Sequence, residues 1–89
     1  MKSHIRGNKY DIKRASLKND WGVCTDPSAP DRKILINREL KDESEKLLVI
    51  VLHEMLHAGL FDLDESVVDE LSKDIGKVLY KMGARISLK

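Results

Sequence analysis

An uninterrupted apolar run, Leu47-Leu48-Val49-Ile50-Val51-Leu52, leads directly into His53-Glu54-Met55-Leu56-His57, and this stretch constrains the fold more than any other. Asp42 and Glu45 precede it at capping-box spacing, the aspartate placed to accept from an orphan N–H and the glutamate to reach back. Gly59 follows as a left-handed stop. Between these marks the residues favour helix and leave almost no polar face. A helix that is apolar nearly all round belongs in the interior. In a chain of 89 residues, enough for one compact domain (1–89), the other elements must be arranged around it.

The first half of the chain reads as strand. Ile5, Tyr10 and Ile12 surround Gly7-Asn8, the expected turn between two short strands. Trp21, Val23 and Cys24 suggest a third strand, and Ile34-Leu35-Ile36 a fourth that ends at Asn37. The segment between them, Asp26 to Asp31, holds Pro27 and Pro30 and must be a loop. After Gly59 a second helix is expected from about Asp64 to Met82, closing at Gly83. Val67, Leu71, Ile75, Val78 and Met82 recur along it at three- and four-residue intervals, the pattern of one buried stripe. Gly76 weakens that helix by about 1 kcal/mol relative to alanine, which close approach of the two helices explains. Trp21 and Phe61 are expected in the core. The fold class is α+β: a small antiparallel sheet of three or four strands packed on two helices.

With 42% hydrophobic and 35% charged residues, the composition is that of an ordered globular chain. The apolar run is far shorter than the roughly 20 residues of a membrane span. No apolar segment backs the charged start Met1-Lys2-Ser3-His4, and Cys24 has no second cysteine to pair with. A cytoplasmic protein without membrane contact is the expectation. Charge is unevenly placed: residues 1–18 carry six basic side chains against one acidic, and residues 62–74 six acidic against one basic. The basic end is a candidate contact for nucleic acid or phosphate, against the plainer reading of a solvated hairpin.

His53-Glu54-Met55-Leu56-His57 carries the chemistry. Residues four apart on a helix lie one above the other, so the two imidazoles can converge on one Zn²⁺ at about 2 Å. Glu54, about 100° round the helix from His53, is placed to take a proton from water at the site. The plain alternative is a pair of satisfied core histidines, a costly use of three polar side chains in the most apolar helix. A third ligand is expected just past Gly59. A metzincin-type continuation is absent, since its glycine and ligand positions hold Leu60 and Leu63. The candidates are Asp62, Asp64, Glu65 and Asp69, with His4 more remote. Glu65, in the first turn of the second helix, is preferred. Asp64 falls on the apolar stripe by helical phase and is the main rival, while Asp62 and Glu65 also have capping-box spacing. Cys24 reads as a packed strand residue, and Tyr80 as a helix-packing residue with a lesser claim as an oxyanion donor.

The chain resembles the short zincin-like metallopeptidases often encoded by bacteriophages, and more distantly the SprT-like and ImmA/IrrE-type families. The resemblance rests on Trp21-Gly22-Val23-Cys24-Thr25-Asp26-Pro27, on Ile34-Leu35-Ile36, on Leu52-His53-Glu54-Met55-Leu56-His57-Ala58 and on Asp62-Leu63-Asp64-Glu65. It continues through Asp74 to Gly83 and covers most of residues 20–83, with the H-E-x-x-H core alone specific. It implies zinc at His53 and His57, a base at Glu54 and an acidic ligand on the following helix, which Glu65 matches best. If phage-encoded, the protein would work in the host cytoplasm. The third-ligand segment lies closer to the second histidine than in ImmA/IrrE-type proteins, and the appended domains of larger relatives are not expected.

The expected function is therefore zinc-dependent hydrolysis of a peptide or protein substrate, with the strand Ile34–Asn37 as the cleft edge. The alternative is a zinc-stabilised, non-catalytic interaction or nucleic-acid-binding module. Closed four-ligand coordination would mark that module, and an open position the enzyme.

Overall fold

The computed structural model describes residues 1–89 as four strands followed by two helices. In chain order these are β1 (Lys2–Ile5), β2 (Asn8–Ala15), β3 (Gly22–Cys24), β4 (Lys33–Asn37), α1 (Glu45–Gly59) and α2 (Glu65–Lys81). The α+β class and the two helices are as the sequence indicates. The β1–β2 turn sits one residue earlier than expected, at Arg6-Gly7, both with positive φ (49° and 82°). Two successive left-handed residues make the tight turn whose twist suits a hairpin, and glycine takes the second position without strain.

The sheet order is β1-β2-β4-β3. β1–β2 and β3–β4 pair antiparallel, whereas β2 and β4 pair in parallel, with Ile12 opposite Ile34 and Arg14 opposite Ile36. The sheet is thus mixed rather than wholly antiparallel. The chain leaves β2, passes to the far edge to form β3, and turns back, so β4 enters the middle running with β2. The same order corrects the cleft edge: β4 is interior, and β3 carries the free edge.

One face of the sheet is apolar by simple alternation. Tyr10 and Ile12 of β2, with Ile34 and Ile36 of β4, are buried against α1, where Leu47 and Ala58 meet them. Leu40 and, from the C-terminal tail, Leu88 complete this core. The tail is strapped down by Arg14, whose Nε donates to the Leu88 carbonyl at 2.9 Å and Nη1 to the Asn37 carbonyl at 2.9 Å. Its Nη2 donates to Asp42 Oδ1 at 2.8 Å, and the Leu88 N–H donates to the same oxygen at 3.2 Å. Those donors, the Leu88 amide first and Arg14 next, hold the Asp42 carboxyl below its ordinary range. Asp42 is therefore not the helix cap. Ser44 caps α1, its hydroxyl accepting from the Leu47 N–H at 3.1 Å. At the other end Gly59 stays helical and Leu60 closes the helix with φ −131°, so the left-handed stop is not used.

α1 lies between the sheet and α2, as its composition requires. α2 packs on α1 alone, and with the neighbouring face rather than the one expected. Its buried residues are Val68, Ser72 and Gly76, whereas Val67, Leu71, Ile75, Val78 and Met82 are 38–77% exposed. Gly76 provides the close approach: a Cβ there would stand 2.6 Å from Val49 Cγ2. Small side chains let the helices approach, and that requirement decides which face turns inward. Trp21 and Phe61 are also exposed; Trp21 lies under the Lys46 ammonium, 3.5 Å from the ring centroid. No helix is long and apolar enough to cross a membrane.

Candidate metal centre

The last two turns of α1 and the first turn of α2 meet at one end of the helix pair, and the polar residues of the α1 motif gather there. His53 Nε2 and His57 Nε2 face each other at 3.1 Å. Glu65 spans them, Oε1 at 2.9 Å from His53 Nε2 and Oε2 at 2.7 Å from His57 Nε2. These are the three residues whose ligand atoms cluster closely enough to share a metal ion.

The donor set fits zinc. A tetrahedral ion with bonds of about 2.0–2.1 Å holds neighbouring ligand atoms roughly 3.3 Å apart, and the observed 2.7–3.1 Å lies a few tenths of an ångström inside that. At 3.1 Å two imidazole lone pairs repel, so the pair requires either a proton or a cation between the rings. A carboxylate directed at both nitrogens satisfies either. The Glu65 side chain is 70% exposed, which leaves the solvent side of the cluster open.

Two residues without an obvious motif stand beside the first histidine. Ser72, fully buried on α2, donates its hydroxyl to the Asp69 carbonyl at 3.0 Å and turns its lone pairs toward His53 Nδ1 at 3.4 Å. Asp69 Oδ1 stands 3.9 Å from the same nitrogen. Acceptors on that side favour the tautomer with hydrogen on Nδ1, leaving the Nε2 lone pair directed at the cluster. The sequence signal for Ser72 was a small polar residue spaced from Val68 and Gly76 on one helix face. It is legible only once that face is known to be the inner one.

Glu54 is 6% exposed and lies beside the cluster rather than in it. Its carboxyl rests on β3, where Gly22 makes the room: a Cβ there would fall 2.8 Å from both Glu54 Cγ and Oε2. Burial pushes the Glu54 carboxyl up to about 7; His53 opposes the rise, and the Glu65 and Asp20 carboxylates add to it. Burial also raises the Cys24 thiol to about 11, so it stays protonated at neutral pH.

These groups line one cleft of about 540 Å³, walled by Asp20 and the β3 residues Gly22, Val23 and Cys24 on one side and by His53, Glu54 and His57 of α1, Phe61 and Leu63 of the turn, and Glu65 of α2 on the other. The exposed Phe61 thus has a place at the cleft wall. The other third-ligand candidates are elsewhere. Asp64 is the N-cap residue of α2, Asp62 sits in the preceding turn, Asp69 faces the far side of His53, and His4 lies in β1 opposite Lys9. Tyr80 is near the C-terminal end of α2, under the Arg85 guanidinium and over 20 Å along the helix from Glu65 at about 1.5 Å per residue. It takes no part in the cleft. The basic N-terminal residues are partly engaged within the chain: Arg14 in the tail clamp, Arg6 with the Gly59 carbonyl, Lys13 with Asp11. No known family, curated protein or solved structure matches the chain.

Proposed function

We propose that the chain is a zincin-type peptidase that binds one zinc ion through His53, His57 and Glu65 and hydrolyses peptide bonds with Glu54 as the general base. The observation that carries this reading is the convergence of both imidazoles and the Glu65 carboxylate within 2.7–3.1 Å, open on one side to a cleft that Glu54 also lines. Zinc in such a position supplies Lewis acidity, polarising a carbonyl and lowering the pKa of water toward 7.

Glu54 supplies the proton handling. A carboxyl whose pKa is near 7 both accepts and returns a proton at neutral pH, which an ordinary surface glutamate does poorly. Water oxygen bonds to the scissile carbonyl carbon and Glu54 takes the proton released. The C–N bond then breaks as Glu54 delivers that proton to the departing amine.

β3 supports the substrate. Strand neighbours fix its orientation: the Trp21 carbonyl accepts from Asn37 N–H and the Thr25 N–H donates to Lys33 O, both on the β4 side. By alternation Gly22 and Cys24 turn their N–H and C=O toward the free edge. An extended peptide added there would run beside Glu54 and the histidines, its backbone held without regard to side chain.

The test is Glu54→Gln assayed on dye-labelled casein. Zinc content should persist while cleavage falls by at least about 10²-fold. Undiminished turnover would remove Glu54 from the chemistry.

A further inference from the structure

One flank of α2, about 100° round the helix from the face packed on α1, is only partly covered in this fold. Val67, Leu71, Ile75, Val78 and Met82 form a stripe of large aliphatic side chains, 40, 38, 39, 56 and 77% exposed in that order. At 100° per residue the five fall within about 80° of arc. Scattered exposed apolar residues need no explanation, but a contiguous stripe along a whole helix does.

The charges beside the stripe identify what covers it. Glu70, Asp74, Lys77 and Lys81 form a second row, on the side of the stripe away from α1, acidic in its first half and basic in its second. All four are exposed. The ion pair within the helix is Lys73 with Asp69, which leaves the four without a partner in their own chain. When two identical helices pack antiparallel about a two-fold axis, the same flank of each meets its own copy running backward. Glu70 and Asp74 would then face Lys81 and Lys77 of the second copy. A parallel pairing would instead set this row against the side of the stripe occupied by α1. The charge order is self-complementary in one arrangement only.

We infer that α2 is a homodimer interface, in which the stripe from Val67 to Met82 packs antiparallel against the same stripe of a second copy of this chain. Each α2 then gains the second apolar neighbour its stripe requires, with both α1 helices on the side of the pair away from the charged rows. The helix has 17 residues and is about 26 Å long. An interface of that length falls at the small end, below about 1,200 Å² in total, so the dimer is reversible and concentration-dependent.

Sedimentation equilibrium over a range of protein concentration tests this. The wild-type chain should pass from monomer to dimer below about 1 mM, and Ile75→Glu should weaken association more than tenfold while the circular dichroism stays unchanged. The pairing geometry is tested by charge reversal. Lys77→Glu/Lys81→Glu and Glu70→Lys/Asp74→Lys should each be monomeric alone and form a mixed dimer when combined. A wild-type monomer throughout that range would overturn the proposal, as would reversed variants that self-associate like wild type or fail to pair with each other. A monomer that binds anionic phospholipid vesicles through the stripe would assign the face to a membrane surface instead.

Discussion

α1 and α2 are both rich in aliphatic residues, yet they stand in opposite relations to the fold. α1 is apolar on nearly every side and lies between the sheet and its neighbour, so most of its surface is covered, Met55 excepted. α2 has a well-defined apolar stripe and a polar remainder, and it leaves the stripe on a flank, 38–77% exposed, beside the face that meets α1. The side it presents to α1 holds Val68, Ser72 and Gly76. An apolar stripe states that a surface requires cover. What covers it depends on how closely the neighbouring backbone must approach, and here that requirement is met by small side chains.

Truncations at matched positions should separate the helices most sharply. Leu47→Ala removes a fully buried side chain from the core and should cost about 2–5 kcal/mol of stability. Val78→Ala, on the exposed stripe, should leave the monomer within about 0.5 kcal/mol of wild type. Urea unfolding at low protein concentration measures both. Comparable losses at the two sites would mean that the stripe is covered within the monomer.

Gly76→Ala probes the contact between the helices. Its Cβ would meet Val49 Cγ2 at 2.6 Å, and relieving that clash should cost about 1–3 kcal/mol despite alanine's better helix propensity. A stabilised variant would show that the helices are not so closely packed.

Ser72→Ala should act on the site more than on the fold. It removes the acceptor beside His53 Nδ1, and zinc affinity measured by competition with a chelator should fall about tenfold. Unchanged affinity would leave the tautomer to Asp69 alone.

Much of this was legible in the sequence, for physical reasons that differ by region. The cluster of His53 and His57 was readable because two histidines and a glutamate at fixed helical spacing have few other uses in an apolar helix. Gly76 signalled close approach because glycine is costly in a helix and needs a reason. Choosing Glu65 over Asp64 depended on a single residue of phase: Asp64 takes the non-helical cap position, and Glu65 begins the turn that faces the histidines. The inward face of α2 was not legible. Periodicity identifies a stripe but not its neighbour, and the strong stripe masked a weaker inner face of small residues. Non-local contacts account for the remaining differences. Asp42 looked like a cap until Arg14, 28 residues away, and the tail claimed it. The parallel β2–β4 pair likewise depends on β3 taking the sheet edge, which strand patterns do not specify.

Whether His53, His57 and Glu65 form a zinc site is decided by zinc titration of the chelator-stripped protein beside His57→Ala. One zinc per wild-type chain is expected, with at least about a hundredfold weaker binding once one of three ligands is gone. Wild-type protein that takes up no zinc, or a His57→Ala variant that binds it equally well, would contradict that expectation.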